Sequence, residues 1–395
     1  MSIIDKYPFS VAQKQILDTI QTDFAMWNEK SLEELFPYEL TSKYKDKDLL
    51  KRVVKHYEEI WQGLKNTPLN YNNFQNISYD NKRKISFSPY KSDSFGFGSC
   101  PVASINTRCC NLLTLDAVQS CGFDCSYCAI QSFYNENKIG YDEEFTQKLK
   151  NLKLDPNETY HIGTGQSSDS LMWGDKFGTL SALFEFARQN PNVILEFKTK
   201  SDNIKFLLEN DVPRNIIVTW SLNPQIIIDY EEHLTASLDS RIKAATQLAK
   251  KGVLVGFHFH PIVVFEGYLE EYGKIYSKLI ELFDPKEVAL VSFGTLTFIK
   301  PVLKKLRSRG EKSKILQMPL LDASGKYSYS IKQKKEMFSH AYDSFKPWHK
   351  DVYFYLCMED KSLWKSIFGY EYISNNQFEE FMKSSYINKI KSLGK

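Results

Sequence analysis

Two types of segment alternate in the hydrophobic pattern between about residue 110 and residue 300. Short apolar runs predict buried strands at residues 112–115, 160–162, 193–197, 216–220, 253–257 and 288–291. The segments between them have helical spacing; residues 239–251, for example, begin with Asp and are followed by Gly252. This alternation predicts an α/β fold with a parallel sheet, which closes into a partial or full (β/α) barrel or opens as a doubly wound sheet. In either arrangement, functional groups gather at the C-terminal ends of the strands.

The segments before and after this region have a different character. Helical spacing recurs at residues 11–26 and 49–64, and the C-terminal part contains a basic helix, a strand at residues 352–357 and a terminal helix near residues 377–390. Because the character changes near residues 95 and 300, the sequence predicts three parts. They are a helical N-terminal extension (1–95), a barrel domain (96–300) and a C-terminal α+β segment that is a candidate substrate-binding rim (301–395).

Composition and charge narrow the class of protein. The 395 residues are 42% hydrophobic and 25% charged, which is enough apolar sequence for one large core. The formal net charge of +3 does not by itself indicate a nucleic-acid partner, because such a partner normally requires a dense basic face. No apolar run approaches the roughly eighteen residues that a membrane helix needs, and the N-terminus has no signal-like pattern. We therefore expect a cytoplasmic protein without a membrane partner.

Six of the seven cysteines lie between residues 100 and 128, and three of them form one motif. Cys121, Cys125 and Cys128 have C-x-x-x-C-x-x-C spacing and follow the first predicted strand directly. Crowded cysteines in a reducing compartment indicate metal ligation more than disulfide bonds. Three thiolates on such a loop can bind three corners of a four-iron cluster and leave the fourth iron open to a ligand.

A structural zinc site is the alternative explanation of these cysteines. It would take a fourth ligand from Cys109 or Cys110 and would make the chain a non-catalytic, zinc-stabilised nucleic-acid-binding protein. Zinc ligands usually come as two pairs, however, and adjacent cysteines in an extended segment point in opposite directions. We therefore expect Cys100, Cys109 and Cys110 to be buried or lining thiols.

Later strands carry groups that suit a ligand with an amino group, a carboxylate and a ribose. Gly163 and Gly165 come after the second predicted strand, where missing side chains would let an amino group reach backbone carbonyls. Lys200 lies near the end of the third strand, and Ser221 and Asn223 lie at the equivalent height of the fourth. On the fifth strand His258 and His260 face the same side, where hydrogen-bonded filling of a barrel is a commoner role than catalysis.

The cysteine motif, with the aromatic Tyr127 just before its last cysteine, resembles that of the radical S-adenosylmethionine superfamily. Within the superfamily, residues 112–272 are most similar to the spore photoproduct lyase family. The landmarks are a Phe-Lys-Thr-Lys sequence that ends at Lys200, a Ser-Leu-Asn sequence that begins at Ser221, and Leu-Asp-Ser-Arg-Ile-Lys-Ala-Ala at residues 238–245.

The resemblance implies a parallel (β/α) barrel of radical S-adenosylmethionine type with a 4Fe–4S cluster on Cys121, Cys125 and Cys128. It implies that one electron from the cluster cleaves S-adenosylmethionine and yields a 5′-deoxyadenosyl radical, which abstracts hydrogen from the substrate. The implied reaction is lyase-like repair of DNA photoproducts, with damaged DNA and a reductant such as flavodoxin or ferredoxin as partners. The resemblance implies that Lys200 and Ser221 contact the cofactor. Together with the groups at the other strand ends, the candidate cofactor-binding residues are Tyr127, Gly163, Gly165, Ser167, Lys200, Ser221 and Asn223.

Two places depart from the family pattern. Ala129 stands where the spore enzyme has a tyrosine, and residues 165–169 lack the cysteine that donates hydrogen in that enzyme. Cys357 at the end of the predicted strand 352–357 is the candidate replacement donor, and Tyr355 on the same face is the candidate relay. A buried, small hydrophobic side chain is the commoner role of such a cysteine. Radical chemistry on a small molecule, a peptide or RNA therefore stays open as an alternative to DNA repair.

A DNA substrate would need a basic rim at the mouth of the barrel, because a damaged base must be flipped out of the stack to reach it. Such basic runs are more often solvated helix faces. The candidates are Lys304, Lys305, Arg307, Arg309, Lys312 and Lys314, followed by Lys332, Lys334 and Lys335.

Overall fold

The computed structural model describes residues 2–72, 74, 85–91, 97–99, 106–129, 138–323 and 325–393. The helices are α1 (Ile3–Lys6), α2 (Val11–Trp27), α3 (Tyr38–Lys43), α4 (Asp46–Asn66), α5 (Phe145–Asn151), α6 (Thr179–Gln189), α7 (Lys205–Glu209), α8 (Gln225–Glu231), α9 (Leu238–Lys250), α10 (Tyr268–Leu282), α11 (Lys300–Ser308), α12 (Ile331–Ser344), α13 (Lys361–Phe368) and α14 (Asn375–Ser392). The strands are β1 (Ser86–Tyr90), β2 (Gly98–Ser99), β3 (Leu113–Leu115), β4 (Val118–Gln119), β5 (Asp124–Cys125), β6 (Lys138–Asp142), β7 (Tyr160–Thr164), β8 (Val193–Thr199), β9 (Ile216–Ser221), β10 (Glu232–His233), β11 (Leu254–Ile262), β12 (Val288–Thr295), β13 (Thr297–Ile299), β14 (Leu321–Ala323), β15 (Lys326–Ser328) and β16 (Tyr353–Leu356).

The chain forms two compact units. The first consists of Met1–Asp80, Val264–Glu266 and Thr297–Tyr329, and the second of Asn81–Val263, Gly267–Leu296 and Ser330–Lys395. The predicted three-part division at residues 95 and 300 stays a prediction. In the part of the chain that the structure describes, no helix is long and apolar enough to cross a membrane.

The second unit is built around an eight-stranded sheet in the order β16-β12-β11-β9-β8-β7-β3-β2. All neighbours from β16 to β3 are parallel, and only β2 pairs antiparallel, with β3. The seven parallel strands form a curled half-barrel, which confirms the predicted partial (β/α) barrel.

The strands form where the sequence has continuous apolar runs, because a parallel sheet is covered on both faces. Each of the six predicted runs overlaps a strand, and β12 is buried along its whole length. The predicted C-terminal strand also exists: β16 joins the sheet parallel to β12, so that its C-terminal end and that of β3 lie at the same edge.

The helices between the strands bury one apolar stripe each. In α6, for example, Leu180, Leu183, Phe184 and Ala187 are buried, with the i, i+3, i+4, i+7 spacing of one helix face. The predicted helix at residues 239–251 is α9, whose first turn is capped by the Ser237 hydroxyl accepting the Ser240 N–H.

The first unit contains α1 to α4, α11 and the three-stranded sheet β13-β15-β14. The predicted helices at residues 11–26 and 49–64 are α2 and α4. A fully buried carboxylate, Asp23 on α2, accepts hydrogen bonds from Trp61 of α4 at 2.9 Å and from Arg307 of α11 at 2.6 Å. A single acidic side chain therefore connects three helices.

Candidate active site

The three cysteines of the motif lie on a loop that begins after β4. This loop lies beyond the C-terminal end of β3, which is the first strand of the parallel sheet. Cys125 is buried, whereas Cys121 and Cys128 are partly exposed. The Cys128 N–H donates to the Cys125 carbonyl at 3.0 Å, which closes a tight turn between the last two cysteines. The thiols are therefore displayed together at the edge of the sheet where a barrel enzyme has its active site.

A distant segment, β10, holds this loop in place. The strand β5 pairs antiparallel with β10, and Cys125 lies opposite Glu232. The Ser126 N–H donates to the Glu231 carbonyl at 2.8 Å, and the Ser126 hydroxyl donates to the Glu231 carboxylate. Backbone and side-chain bonds from two consecutive glutamates thus fix the conformation of the cysteine loop.

Lys200, which directly follows β8, lies beside the cysteine loop; its role as a cofactor-binding cation stays a prediction. Its ammonium group donates to the Tyr127 hydroxyl and to Glu232 Oε1, both at 2.9 Å. The Tyr127 hydroxyl also donates to Glu232 Oε1. The structure therefore brings together two predicted residues, Tyr127 and Lys200, through a carboxylate that sequence reasoning had not singled out.

Asn223 and Ser221 join the same group of residues. The Asn223 amide donates to Glu232 Oε1 at 2.7 Å, and its carbonyl oxygen accepts the Tyr272 hydroxyl at 2.6 Å. Ser221 is the last residue of β9 and its backbone carbonyl accepts a hydrogen bond from Arg241 at 2.9 Å. Asn223 thus positions other side chains, while the Ser221 side chain is partly exposed.

The charges around Glu232 explain its ionisation state. Burial would raise the pKa of this carboxyl, but the charges of Lys200 and Arg241 hold the pKa well below its usual range. The Arg241 guanidinium lies 2.7 Å from Glu232 Oε2. Burial raises the pKa of the Cys125 thiol well above its ordinary value, and the negative charge of Glu232 adds to this effect, as ionisation of Cys128 and Cys121 would. The charge of Lys200 acts in the opposite direction and favours the thiolate form that binds metal.

The predicted glycines of β7 are explained by close packing. Gly163 lies within the strand, and a Cβ there would be 3.0 Å from Leu112 Cδ2. Gly165 has a positive φ of 78°, and a Cβ there would lie 2.6 Å from Ser170 Oγ and 3.0 Å from the Lys198 carbonyl oxygen. Their part in cofactor binding stays a prediction.

Acidic residues organise the loop that follows β7. The predicted Ser167 donates its hydroxyl to Asp116 at 2.7 Å and its N–H to the same carboxylate at 3.0 Å. Asp169 accepts the Lys200 N–H at 2.7 Å and the Thr199 hydroxyl at 2.8 Å. The loop after β7 therefore holds the backbone of Lys200 in place through Asp169. Sequence reasoning missed this residue.

A polar network fills the interior of the barrel next to this site. Glu196 on β8 is fully buried; His161 Nε2 and His258 Nε2 lie 2.9 Å and 2.8 Å from its carboxylate, and the Thr219 hydroxyl donates to it at 3.0 Å. His258 Nδ1 lies 2.6 Å from the Ser292 hydroxyl. His258 is thus a hydrogen-bonded interior residue, which is the commoner of the two roles considered for it.

Tyr355 lies on β16, which is the edge strand at the opposite edge of the sheet from β3, and Cys357 directly follows this strand. The Cys357 N–H donates to the Phe293 carbonyl at 2.8 Å, and a Cβ at Gly294 would lie 3.1 Å from the Cys357 carbonyl oxygen and 2.9 Å from the His260 ring. Burial raises the pKa of the Cys357 thiol to about 12, which keeps it protonated. Tyr355 is buried, and its pKa is raised well above the usual value by burial.

Several cations of the predicted basic rim are used inside the protein. Arg307 binds Asp23, Lys314 lies 3.1 Å from Glu29, and Lys312 donates to a backbone carbonyl. Lys334 forms a buried ion pair with Glu359 at 2.6 Å, and Arg309 lies 2.6 Å from Glu311. The cations of this set that are exposed are Lys304, Lys305, Lys332 and Lys335.

The residues present fit an iron–sulfur cluster by the chemistry of the donor set. Among the residues that the structure describes, no three His, Cys, Asp or Glu side chains are placed to hold one metal ion. A four-iron cluster is bound through separate iron atoms, so its thiolates need not converge on a single point. Three thiols on one loop beside Lys200 are such a donor set, whereas Cys100 lies outside the described residues.

A parallel half-barrel that displays three cysteines on the loop after its first strand, with polar groups at the ends of the next strands, is the arrangement of radical S-adenosylmethionine enzymes. Comparison with known proteins narrows this class. The spore photoproduct lyase family model matches residues 113–339, which is more than half of the chain. The chain belongs to the spore photoproduct lyase family, and it is a lyase-type enzyme that uses a 4Fe–4S cluster and S-adenosylmethionine.

Individual relatives are similar over part of their length. The spore photoproduct lyase of Geobacillus sp. (strain Y412MC61) is 24% identical over 235 residues, which are 55% of this chain and 68% of the relative. That of Bacillus subtilis (strain 168) is 29% identical over 164 residues, which are 40% of this chain and 48% of the relative. A solved mutant spore photoproduct lyase with bound S-adenosylmethionine and dinucleoside spore photoproduct superposes with a TM-score of 0.56 and 20% identity, over 68% of this chain and 82% of that one. At this identity, the structural match shows the fold alone.

Proposed function

We propose that this enzyme repairs spore-photoproduct-type thymine dimers in DNA by radical chemistry at the C-terminal edge of the half-barrel. One observation carries the proposal: the family model spans every residue that we assign to the cluster and to the cofactor. The relatives named above are spore photoproduct lyases, and one solved relative has the dinucleoside spore photoproduct bound.

The proposed roles of the residues follow from their positions. Cys121, Cys125 and Cys128 bind three irons of the cluster, which when bound supplies the electron that cleaves S-adenosylmethionine. Lys200 pairs with the carboxylate of the cofactor, because its ammonium group lies next to the cysteine loop. Ser221, at the end of the adjacent strand, offers its hydroxyl to the same ligand.

A DNA substrate has to be held by cations that are not already used inside the protein. Of the exposed lysines in the predicted rim, Lys332 and Lys335 belong to the same unit as the half-barrel, and we propose that they contact phosphates. The damaged dinucleotide must leave the base stack to reach the half-barrel, which costs a few kcal/mol and is easiest at a lesion.

Cys357 is the proposed hydrogen donor in place of the cysteine that residues 165–169 lack. Two observations support this role: it follows directly after a strand that is parallel to β12, and its thiol is held in the protonated form by burial. Tyr355, two residues earlier and on the same face of the strand, is the proposed relay.

The direct test is turnover of a defined lesion. Reconstituted enzyme, reduced with dithionite under anaerobic conditions, is incubated with S-adenosylmethionine and dinucleoside spore photoproduct, and products are identified by chromatography and mass spectrometry. We expect restored thymine dinucleoside, and none without S-adenosylmethionine or with the Cys121→Ala variant. Cofactor cleavage with an unchanged lesion, both in the dinucleoside and in ultraviolet-irradiated DNA, would refute the proposed substrate and favour a small molecule, a peptide or RNA.

A further inference from the structure

Glu232 lies at the centre of the candidate active site. The residue is 1% exposed, and its carboxylate is surrounded by four polar side chains. Lys200 and Asn223 donate to Oε1 at 2.9 Å and 2.7 Å, Tyr127 donates to the same oxygen, and Arg241 lies 2.7 Å from Oε2. Burial of a carboxylate is costly unless such partners compensate for the lost water. The Glu232 carboxylate therefore requires these four side chains to be in place.

The backbone of the same residue reaches the cysteine loop. Glu232 lies opposite Cys125 in the β5–β10 pair. Tyr127, whose hydroxyl donates to the Glu232 carboxylate, belongs to the same cysteine loop. One residue therefore touches both the segment that carries the thiols and the lysine at the end of β8.

The ammonium group of Lys200 has a donor left for a ligand. It carries three donors, and two of them bind the Tyr127 hydroxyl and Glu232 Oε1. The third can bind a ligand carboxylate while the first two hold the lysine beside the cysteine loop.

Arg241 does not depend on Glu232 for its position. Its guanidinium also donates to the carbonyls of Ala236 and Ser221, at 2.8 Å and 2.9 Å, and to the Thr235 hydroxyl at 2.6 Å. Lys200, by contrast, has a flexible stem and is held beside the cysteine loop by the Glu232 carboxylate and by the tyrosine that the carboxylate itself orients. Loss of the carboxylate should therefore affect Lys200 most.

We propose that Glu232 is a positioning residue that holds Lys200 in the orientation needed to bind the carboxylate of S-adenosylmethionine and that ties this lysine to the cysteine loop. The inference rests on the cofactor role proposed above for Lys200, but it does not depend on the identity of the substrate.

A double-mutant cycle tests the inference. The equilibrium affinity for S-adenosylmethionine is measured on cluster-loaded wild type, Lys200→Ala, Glu232→Gln and the double variant, with iron content determined for each. We expect Glu232→Gln to weaken binding by about tenfold or more, because a misplaced Lys200 no longer forms its charge-assisted hydrogen bond to the cofactor carboxylate. Iron content should be unchanged. The double variant should bind no more weakly than Lys200→Ala alone, because Glu232 acts through Lys200.

A matched control is Glu359→Gln, which breaks another buried glutamate–lysine pair, with Lys334 at 2.6 Å. It should bind S-adenosylmethionine with wild-type affinity. The electron paramagnetic resonance spectrum of the reduced cluster gives a second measurement: addition of S-adenosylmethionine should change it in wild type and much less in Glu232→Gln at the same cofactor concentration.

The possible results separate the inference from the proposal beneath it. Wild-type affinity in Glu232→Gln, or losses that simply add in the double variant, would overturn the positioning role. Unchanged affinity in Lys200→Ala would instead reject the assignment of Lys200 to the cofactor. Should Glu232→Gln lose iron, Glu232→Asp serves in the same cycle, since it keeps a charge near Arg241 but withdraws it from Lys200; additive losses there would again overturn the inference.

Discussion

At the scale of single residues, the cysteine loop packs closely against Met172 and Trp173 at Gly122. A Cβ at this position would lie 2.4 Å from Met172 Cε and 2.7 Å from the Trp173 ring, so that these two side chains would have to move. The loop that carries the thiols is therefore packed against Met172 and Trp173 and is also paired with β10.

The first prediction concerns the three cysteines of this loop. Replacement of Cys121, Cys125 or Cys128 by Ala removes one of the three protein ligands of the cluster. We expect each variant to lose both iron and the reductive cleavage of S-adenosylmethionine. Iron analysis and 5′-deoxyadenosine formation measure the two losses. Cys109→Ala and Cys110→Ala serve as controls and should retain the cluster; loss of iron in either would indicate a fourth protein ligand.

A second residue-scale prediction concerns Cys357. If its thiol donates hydrogen to the product radical, Cys357→Ala should still cleave S-adenosylmethionine, because the cysteine loop and Lys200 are untouched. Product formation should fall or be diverted, so that the ratio of 5′-deoxyadenosine to product rises by roughly tenfold or more, as expected when a group that acts only in a late step is removed. A variant with wild-type rates for both would show that Cys357 is an interior residue without a catalytic role.

At the scale of elements, the helices of the first unit are joined by a buried carboxylate. Asp23 on α2 binds Arg307 of α11 through both of its oxygens, at 2.6 Å and 3.0 Å, and Trp61 of α4 at 2.9 Å. Arg307 belongs to the run that the sequence offered as a basic rim. Its guanidinium instead satisfies an acid in the same unit, which a charge count along the chain does not reveal.

Asp23→Ala should destabilise this unit, because it leaves a largely buried guanidinium and an indole N–H without their acceptor. We expect the free energy of unfolding to fall by about 2–3 kcal/mol, measured by denaturation followed through tryptophan fluorescence. Asp48→Ala is the comparison, since Asp48 and Arg52 form an exposed pair within α4 at 3.2 Å. That variant should cost about 0.5 kcal/mol or less; equal effects of the two changes would contradict the structural role of Asp23.

At the scale of the whole molecule, the polar interior of the barrel makes stability depend on pH. Burial lowers the pKa of His258, and it lowers the pKa of His260 from 6.5 to about 3. Burial alone would raise the pKa of Glu196, but the Lys198 charge and the hydrogen bonds from His161 and His258 hold it well below its ordinary value. The native state therefore keeps both titrating histidines neutral and the glutamate ionised.

The sign of the pH dependence follows from these directions. A depressed pKa in the native state means that the unfolded chain binds protons first, so this contribution to stability is complete above the unfolded histidine pKa and is lost as the pH falls. Between about pH 7 and pH 5.5, His260 should lower the free energy of unfolding by about 1 kcal/mol, and the lowered pKa of His258 acts in the same direction.

Urea denaturation under anaerobic conditions at several pH values measures this loss. His260→Gln should reduce the dependence by about 1 kcal/mol over this range, because this group no longer titrates. An exposed histidine would titrate alike in the native and unfolded states. Stability that stays constant over this pH range in the wild type would therefore show that His258 and His260 are accessible to protons.

The sequence by itself determined the order of strands and helices and the spacing of the cysteines. Parallel strands are covered on both faces, and so they appear as continuous apolar runs such as residues 193–197 and 216–220. The cysteine motif is equally local, because its three thiols belong to one short loop. Lys200, at the end of its strand, could be placed near this loop, since the carboxyl ends of parallel strands meet at one edge.

Only the tertiary structure decided which polar residues meet. Nothing in the sequence distinguishes Glu232 from its neighbours as the acid that faces Lys200, because the pairing of β10 with β5 joins segments far apart in the chain. The same holds for Arg307, whose partner Asp23 lies near the other end of the sequence. Periodicity reports burial and local conformation, whereas a buried charge acquires its role from the partner that long-range packing brings within hydrogen-bond distance.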